Sequence, residues 1–163
     1  MTIVASIDFS AATDRVFETA AALAESLHGR VVLLHVVQPA AAPKTGTKPP
    51  VAPEEAVAAD EESAVRQLAR YEKRLQLDKL NVAKILGRGA PVPQILECCA
   101  KLGASFVVMG SHGLGVQGGR LVGETTEGVL RKSPCPVIIV PHPKVSRSRP
   151  PFPARPTASR AAD

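Results

Sequence analysis

Five short apolar runs, each separated from the next by a segment of helical periodicity, constrain the fold of this chain more than any other feature. They are Thr2 to Ile7, Val31 to Val37, Val82 to Leu86, Ser105 to Met109 and Val137 to Val140. Between the first two, Val16, Phe17, Ala20, Leu23, Ala24 and Leu27 fall on one helical face, with Ser10 as the expected N-cap and His28-Gly29 as the stop. From Glu54 to Leu77 the apolar stripe is Val57, Ala64, Val65, Leu68 and Leu75. Pro93 suits the first turn of a third helix carrying Ile95, Leu96, Cys99 and Leu102, and Glu124 to Lys132 reads as a short fourth, stopped by Pro134. Strands that alternate with helices are joined by crossovers, and crossovers make a parallel sheet with helices covering it. His35 alone interrupts the second run, which suits a strand covered on both faces, whereas Lys84 in the third marks a sheet edge. The expected class is therefore α/β, a five-stranded parallel sheet with helices on both faces.

The connection after the fourth run points to a ligand. It holds Gly110, Gly113, Gly115, Gly118, Gly119 and Gly123 and leads into a helix. Glycine lets backbone N–H groups turn inward toward an anion without a Cβ in the way, and a helix start adds donors and partial positive charge. Such a loop suits a phosphate. Two glycine patterns overlap in it. Gly113-Leu-Gly115-Val-Gln-Gly118 fits G-x-G-x-x-G, but that fingerprint belongs in a first strand–helix turn with an acid about 20 residues on, and Val137 to Val140 stand there instead. A nicotinamide oxidoreductase would rest on that pattern alone and is set aside.

The second pattern is Gly110-x2-Gly113-x9-Gly123, preceded by Met109 and followed, after a helix, by Pro134-Cys-Pro-Val137. With Ile7-Asp8-Phe9-Ser10, Leu33-Leu34-His35-Val36, Gly89-Ala90-Pro91 and Met109-Gly110-Ser111-His112-Gly113 in the same order, the chain from about residue 2 to 141 resembles the universal stress protein family. The resemblance implies an adenine nucleotide alpha-hydrolase-like fold with strand order 3-2-1-4-5 and a homodimer through the fifth strand, Val137 to Val140. Its ATP-binding branch places adenine on Asp8 and the Val36 backbone, and phosphates on the loop at Met109, Gly110, Gly113 and Gly123. In that strand order the direction reverses between strands one and four, and ligands bind such a crevice at the carboxyl ends of the strands. The loops meeting there begin at Asp8 and Gly110, so topology nominates the same two places.

His112, Arg120, Glu124 and Thr125 complete the expected nucleotide-binding set, with Arg120 as an added phosphate contact. Each has a plainer reading beside this one. Asp8 suits a helix start, His112 an exposed turn, Arg120 a solvated charge, and His35 a hydrogen-bonded structural histidine. Glu124 departs from the family pattern, which has Ser or Thr after the last glycine. A carboxylate held about 4 Å from a phosphate oxygen costs roughly 4 kcal/mol at an effective dielectric of 20, close to a thousandfold in affinity. Release of the side chain to solvent, or a bridging Mg²⁺, relieves that cost.

Charge and composition narrow the partners. Of the formal charge of +5, most follows Pro141, where Lys144, Arg147, Arg149, Arg155 and Arg160 face only Asp163. The body through residue 141 is nearly neutral, and residues 142–163 read as a basic, Pro-rich disordered tail. With 3% aromatic residues and no Trp, stacking on nucleic-acid bases is not the expected binding mode. No run approaches the ~20 apolar residues of a membrane span, and Asp8 within the first apolar stretch argues against a signal peptide, so the chain reads as cytoplasmic. Cys98, Cys99 and Cys135 form neither a disulfide framework nor a C-x-x-C motif and read as buried reduced thiols. No P-loop, nucleophile elbow or H-E-x-x-H pair is present. The expectation is a stress-response module binding ATP or a related adenine nucleotide, with or without Mg²⁺, and at most hydrolysing it slowly. The alternative is a nucleotide-independent dimeric interaction protein of the same fold.

Overall fold

The computed structural model describes residues 1–38, 53–113 and 121–142, without the side chains of 53–56. The Pro- and Ala-rich loop, Arg120, the three glycines 115, 118 and 119, and the basic tail beyond His142 lie outside them. Five strands and four helices alternate: β1 (Thr2–Ser6), α1 (Thr13–Ser26), β2 (Arg30–Val37), α2 (Pro53–Leu77), β3 (Asn81–Arg88), α3 (Pro91–Lys101), β4 (Phe106–Gly110), α4 (Glu124–Lys132) and β5 (Val137–Val140). The strands form one parallel sheet in the order β3-β2-β1-β4-β5, as expected.

Strand side chains alternate between faces, and this alternation makes two cores. Ile3, Ala5, Val31, Leu33 and Val108 point to the side covered by α1 and α2, where they meet Val16, Phe17, Ala20, Leu68 and Leu75. Val4, Val32, Leu34, Val107 and Met109 point to the other side and meet Ile95, Cys98 and Cys99 of α3 and Val129 of α4. Cys98 and Cys99 are buried as expected, whereas Cys135 is partly exposed. Burial, with Cys135 next in importance, pushes the Cys99 thiol up to about 12, so it stays neutral and packs as a small apolar group.

Some sequence expectations change in detail. Ser10 is not the N-cap of α1. The cap position is Ala12, and the Ser10 hydroxyl accepts the Ala12 N–H at 3.3 Å in the turn before the helix. A hydroxyl bonded two residues ahead satisfies the backbone as well as a cap does, so Ser10 serves the turn instead. Val65, assigned to the buried face of α2, is 46% exposed. It lies about 100° round the helix from buried Ala64, and only one of the two faces the sheet. α3 begins at Pro91, with Pro93 also in its first turn. Lys84 does mark an edge: β3 ends the sheet, and Lys84 pairs with Glu72 of α2. Among the described residues no helix is long and apolar enough to cross a membrane.

Candidate functional site

A crevice of about 990 Å³ opens where β1 and β4 lie side by side and their connections diverge to opposite faces. Ser6 is the last residue of β1 and pairs with Met109 of β4, so the two chains leave the sheet together. Asp8, Val36, Met109, Gly110, His112, Gly113, Gly123, Glu124 and Thr125 all line the crevice. Arg120 lies outside the described residues.

At the β1 side, Asp8 has two engagements. Its Oδ1 accepts the Ser10 N–H at 3.0 Å, which closes the turn toward α1. Its Oδ2 faces Gly113, where an added Cβ would overlap it. Thus the plainer, turn-forming role of Asp8 and its place in the crevice coexist. Phe9 follows at φ 59°, a left-handed conformation costly for a residue with a Cβ. That twist lays the Phe9 ring against His35, with centroids 4.4 Å apart and planes tilted by 35°. His35 holds the Ile7 carbonyl through Nδ1 at 2.8 Å.

At the β4 side the backbone is tied at each step. Ser111 donates its N–H to Val140 O at 2.7 Å, and its own carbonyl accepts the Gly123 N–H at 2.7 Å. The residues on either side of the glycine loop are therefore stapled together. His142 N–H reaches Ser111 Oγ at 3.0 Å, and His112 Nδ1 lies 3.2 Å from the same oxygen. A side chain at Gly110 would be crowded, because a Cβ would meet Ala12 Cβ and His112 O at 3.2 Å. Thr126, 3% exposed, donates its hydroxyl to Gly110 O at 2.8 Å and pins the first turn of α4 to the end of β4.

α4 starts at Gly123 with extended backbone and no side-chain cap. Among the described residues no acceptor takes the N–H groups of Thr125 and Thr126, which line the crevice. Glu124 is exposed at this helix start.

Several lining residues carried no motif. Asp60, Ser63 and Gln67 of α2 form a polar wall that the sequence presents as the charged side of an ordinary amphipathic helix. Thr13 lines the crevice from α1; it is 2% exposed, and its Oγ1 has no partner among the described residues. Phe9 and His35, which do stand in the motifs around Asp8 and Val36, also belong to the wall. Their signal was local, an aromatic beside Asp8 and one polar residue in an apolar strand. The described lining residues include three acids, Asp8, Asp60 and Glu124, and no Lys or Arg.

Known proteins are similar to this chain in sequence and in fold. A universal stress protein of Thermus aquaticus is 34% identical over 85 residues, spanning 49% of this chain and 62% of that protein. One from Methanocaldococcus jannaschii is 32% identical over 79 residues, spanning 48% and 49%. The matched segments thus span between about half and three-fifths of those relatives. Among solved structures, a universal stress protein from Lactobacillus plantarum superposes with a TM-score of 0.76 at 23% identity, covering 86% of this chain and 97% of that one. One from Archaeoglobus fulgidus in complex with dAMP gives 0.62 at 20%, covering 85% and 96%. Another, in complex with cAMP, gives 0.60 at 23%, covering 86% and 95%. At these identities the superpositions establish the fold. The Universal stress protein family's sequence model runs over residues 1–141, which takes in every strand of the sheet and both sides of the crevice, and on that match this chain belongs to the universal stress protein family.

Proposed function

We propose that the crevice binds ATP or a related adenine nucleotide, with Mg²⁺, and that the chain is a cytoplasmic regulatory module of the stress response, with slow ATP hydrolysis as the most it would catalyse. The observation that carries this reading is the meeting of Gly113 with the Asp8 carboxylate. A side chain at residue 113 would close the gap between the two loops, so glycine there keeps backbone exposed beside an acceptor. Phosphates would lie on the backbone of Gly110, Gly113 and Gly123 and on the first-turn N–H groups of α4, which suit an anion. The base would lie across Asp8 and Val36. Fold relatives in complex with dAMP and with cAMP support an adenine ligand for this chain. The buried, unpartnered Thr13 hydroxyl is a further polar atom that a ligand can satisfy.

The charge of the lining supports a role for Mg²⁺. Three acids and no Lys or Arg among the described lining residues leave a triphosphate without a permanently cationic side chain there. A divalent cation held by the phosphates and one carboxylate would supply it. Asp8 and Glu124 are the carboxylates within the proposed phosphate and base region. The same charge pattern favours the second reading, a nucleotide-independent interaction protein.

Glu124 opposes the phosphates less than its position in the sequence predicts. It is exposed, so its charge is screened, and at 4 Å the repulsion falls from roughly 4 kcal/mol toward about 1 kcal/mol as water replaces protein. Titration of ATP by calorimetry, with and without Mg²⁺, tests this. Without metal, Glu124→Ser should bind about fivefold more tightly than the native chain, and with Mg²⁺ the gap should narrow. No ATP binding to either protein in either buffer would sink the nucleotide reading. Equal metal-free affinities would remove Glu124 from it.

A further inference from the structure

All three cysteines of the chain gather in one core, on the sheet face covered by α3 and α4. Cys98 and Cys99 stand in the last turn of α3, which leads to the start of β4, and Cys135 stands in the turn that leads to the start of β5. In a parallel sheet those two starts lie side by side, at the opposite end of the strands from the crevice. Two backbone hydrogen bonds draw the segments together there. The Cys99 carbonyl accepts the Ala104 N–H at 2.9 Å just before β4, and the Pro136 carbonyl accepts the Val107 N–H at 3.0 Å within it. The same few residues of β4 thus hold Cys99 and the neighbour of Cys135, and the Cys135 thiol is the hydrogen-bonding neighbour of the Cys99 thiol.

Cys135 is fixed in its turn. Ser133 Oγ accepts its N–H at 3.3 Å, donates to its carbonyl at 2.7 Å and lies 3.7 Å from its sulfur. Pro134 and Pro136 on either side narrow the backbone further. A thiol on such a turn meets a neighbour with little conformational freedom left to lose. The two sulfurs differ in access. Cys99 is 1% exposed and burial keeps it a neutral thiol, whereas Cys135 is partly exposed. An oxidant arriving from solvent meets Cys135 first. Cys98 leaves α3 about 100° round the helix from Cys99, so the two adjacent cysteines point in different directions.

We propose that Cys135 and Cys99 form an oxidation site, which a peroxide converts to a disulfide. In the first step the Cys135 sulfur attacks one peroxide oxygen: an S–O bond forms, the O–O bond breaks, and the thiol proton leaves with the second oxygen as water, giving a sulfenic acid. In the second, the Cys99 sulfur attacks that sulfenic sulfur: the S–S bond forms, the S–O bond breaks, and the departing hydroxide takes the Cys99 proton as a second water. Two thiols lose two electrons, and one peroxide gains them. The bond ties the end of α3 to the start of β5, away from the crevice, so this inference does not rest on the nucleotide reading.

The test exposes the native chain to hydrogen peroxide in non-denaturing buffer, then quenches, unfolds and alkylates it and maps the cysteines by mass spectrometry. Of the three, Cys98 should be alkylated, and Cys99 and Cys135 should be recovered as one linked peptide pair that dithiothreitol separates. In Cys99→Ala the sulfenic acid on Cys135 lacks a resolving thiol and should be captured by dimedone. In Cys135→Ser the link is lost and Cys99 should stay open to alkylation after unfolding. Cys98→Ala should oxidise as the native chain does. Three alkylated cysteines after peroxide, a bond through Cys98, bonds only between chains, or oxidation of Cys135 that runs on to sulfinic acid without a link would each overturn the inference. The native map decides this even where a variant fails to fold.

Discussion

Gly113 is the smallest residue in the site and the one whose replacement has the most local consequence. A Cβ there would overlap the Asp8 carboxylate, so Gly113→Ala forces Asp8 to give way or moves the backbone at residue 113. The contact lies at a crevice edge rather than in either core, which separates its effect on binding from its effect on stability. Gly113→Ala should lower adenine-nucleotide affinity by about tenfold while changing the unfolding free energy by less than about 1 kcal/mol, measured by calorimetry and urea titration. Loss of stability with unchanged affinity would place the residue in the scaffold instead. Gly128 shows the contrasting case of a glycine required by packing. Each glycine here answers a specific neighbour, and the neighbours come from distant parts of the chain: Asp8 for Gly113, Ala12 for Gly110, Val92 for Gly128.

At the scale of elements, α3 and α4 show how packing aims the site. A Cβ on Gly128 would lie 2.8 Å from Val92 Cγ2 and 3.3 Å from Cγ1, and a valine side chain is stiff. Glycine to alanine in a helix interior normally gains up to about 1 kcal/mol. Here Gly128→Ala should instead destabilise by about 1–2 kcal/mol through overpacking. Val92→Ala combined with it should recover most of that loss, and denaturant unfolding of the four proteins of this cycle measures the coupling. Simple additivity of the two changes would show that the helices do not meet there. The strands and α4 were legible in the sequence because glycine and proline mark their ends, as at Gly110, Pro91 and Pro134. What stayed hidden depended on partners far along the chain. Val65 and Ala64 are equally apolar, and only the sheet beneath decides which one is buried. Asp60, Ser63 and Gln67 read as a solvated helix face until α2 is laid beside the crevice. His35 reads as a structural histidine, and its bond to the Ile7 carbonyl shows that role.

On the scale of the whole molecule, the two sheet edges differ. β3 is guarded by ion pairs to α2, Lys84 with Glu72 and Arg88 with Glu61 at 2.6 Å, which is how natural sheets discourage another chain from adding. β5 has four apolar residues, and Val137, Ile138 and Ile139 are only partly buried. The chain should therefore form a two-fold dimer through β5 at micromolar concentration by light scattering, and Ile139→Lys should shift it to monomer. A native monomer would refute this. The central position of β1 has a different consequence, in time rather than space. β1 joins β2 across a short stretch of sequence, but it joins β4 through pairs such as Ile3 with Phe106. Closing so long a loop costs more chain entropy than pairing β1 with β2, so the crevice should be among the last features to appear as the chain folds. A partly folded chain holding only β1, β2 and β3 presents Asp8 and Val36 with nothing opposite them. Any ligand of the crevice thus recognises the completed sheet and not its precursors. By mass action it draws the folding equilibrium toward completion, by about 2.7 kcal/mol at a hundred times its dissociation constant.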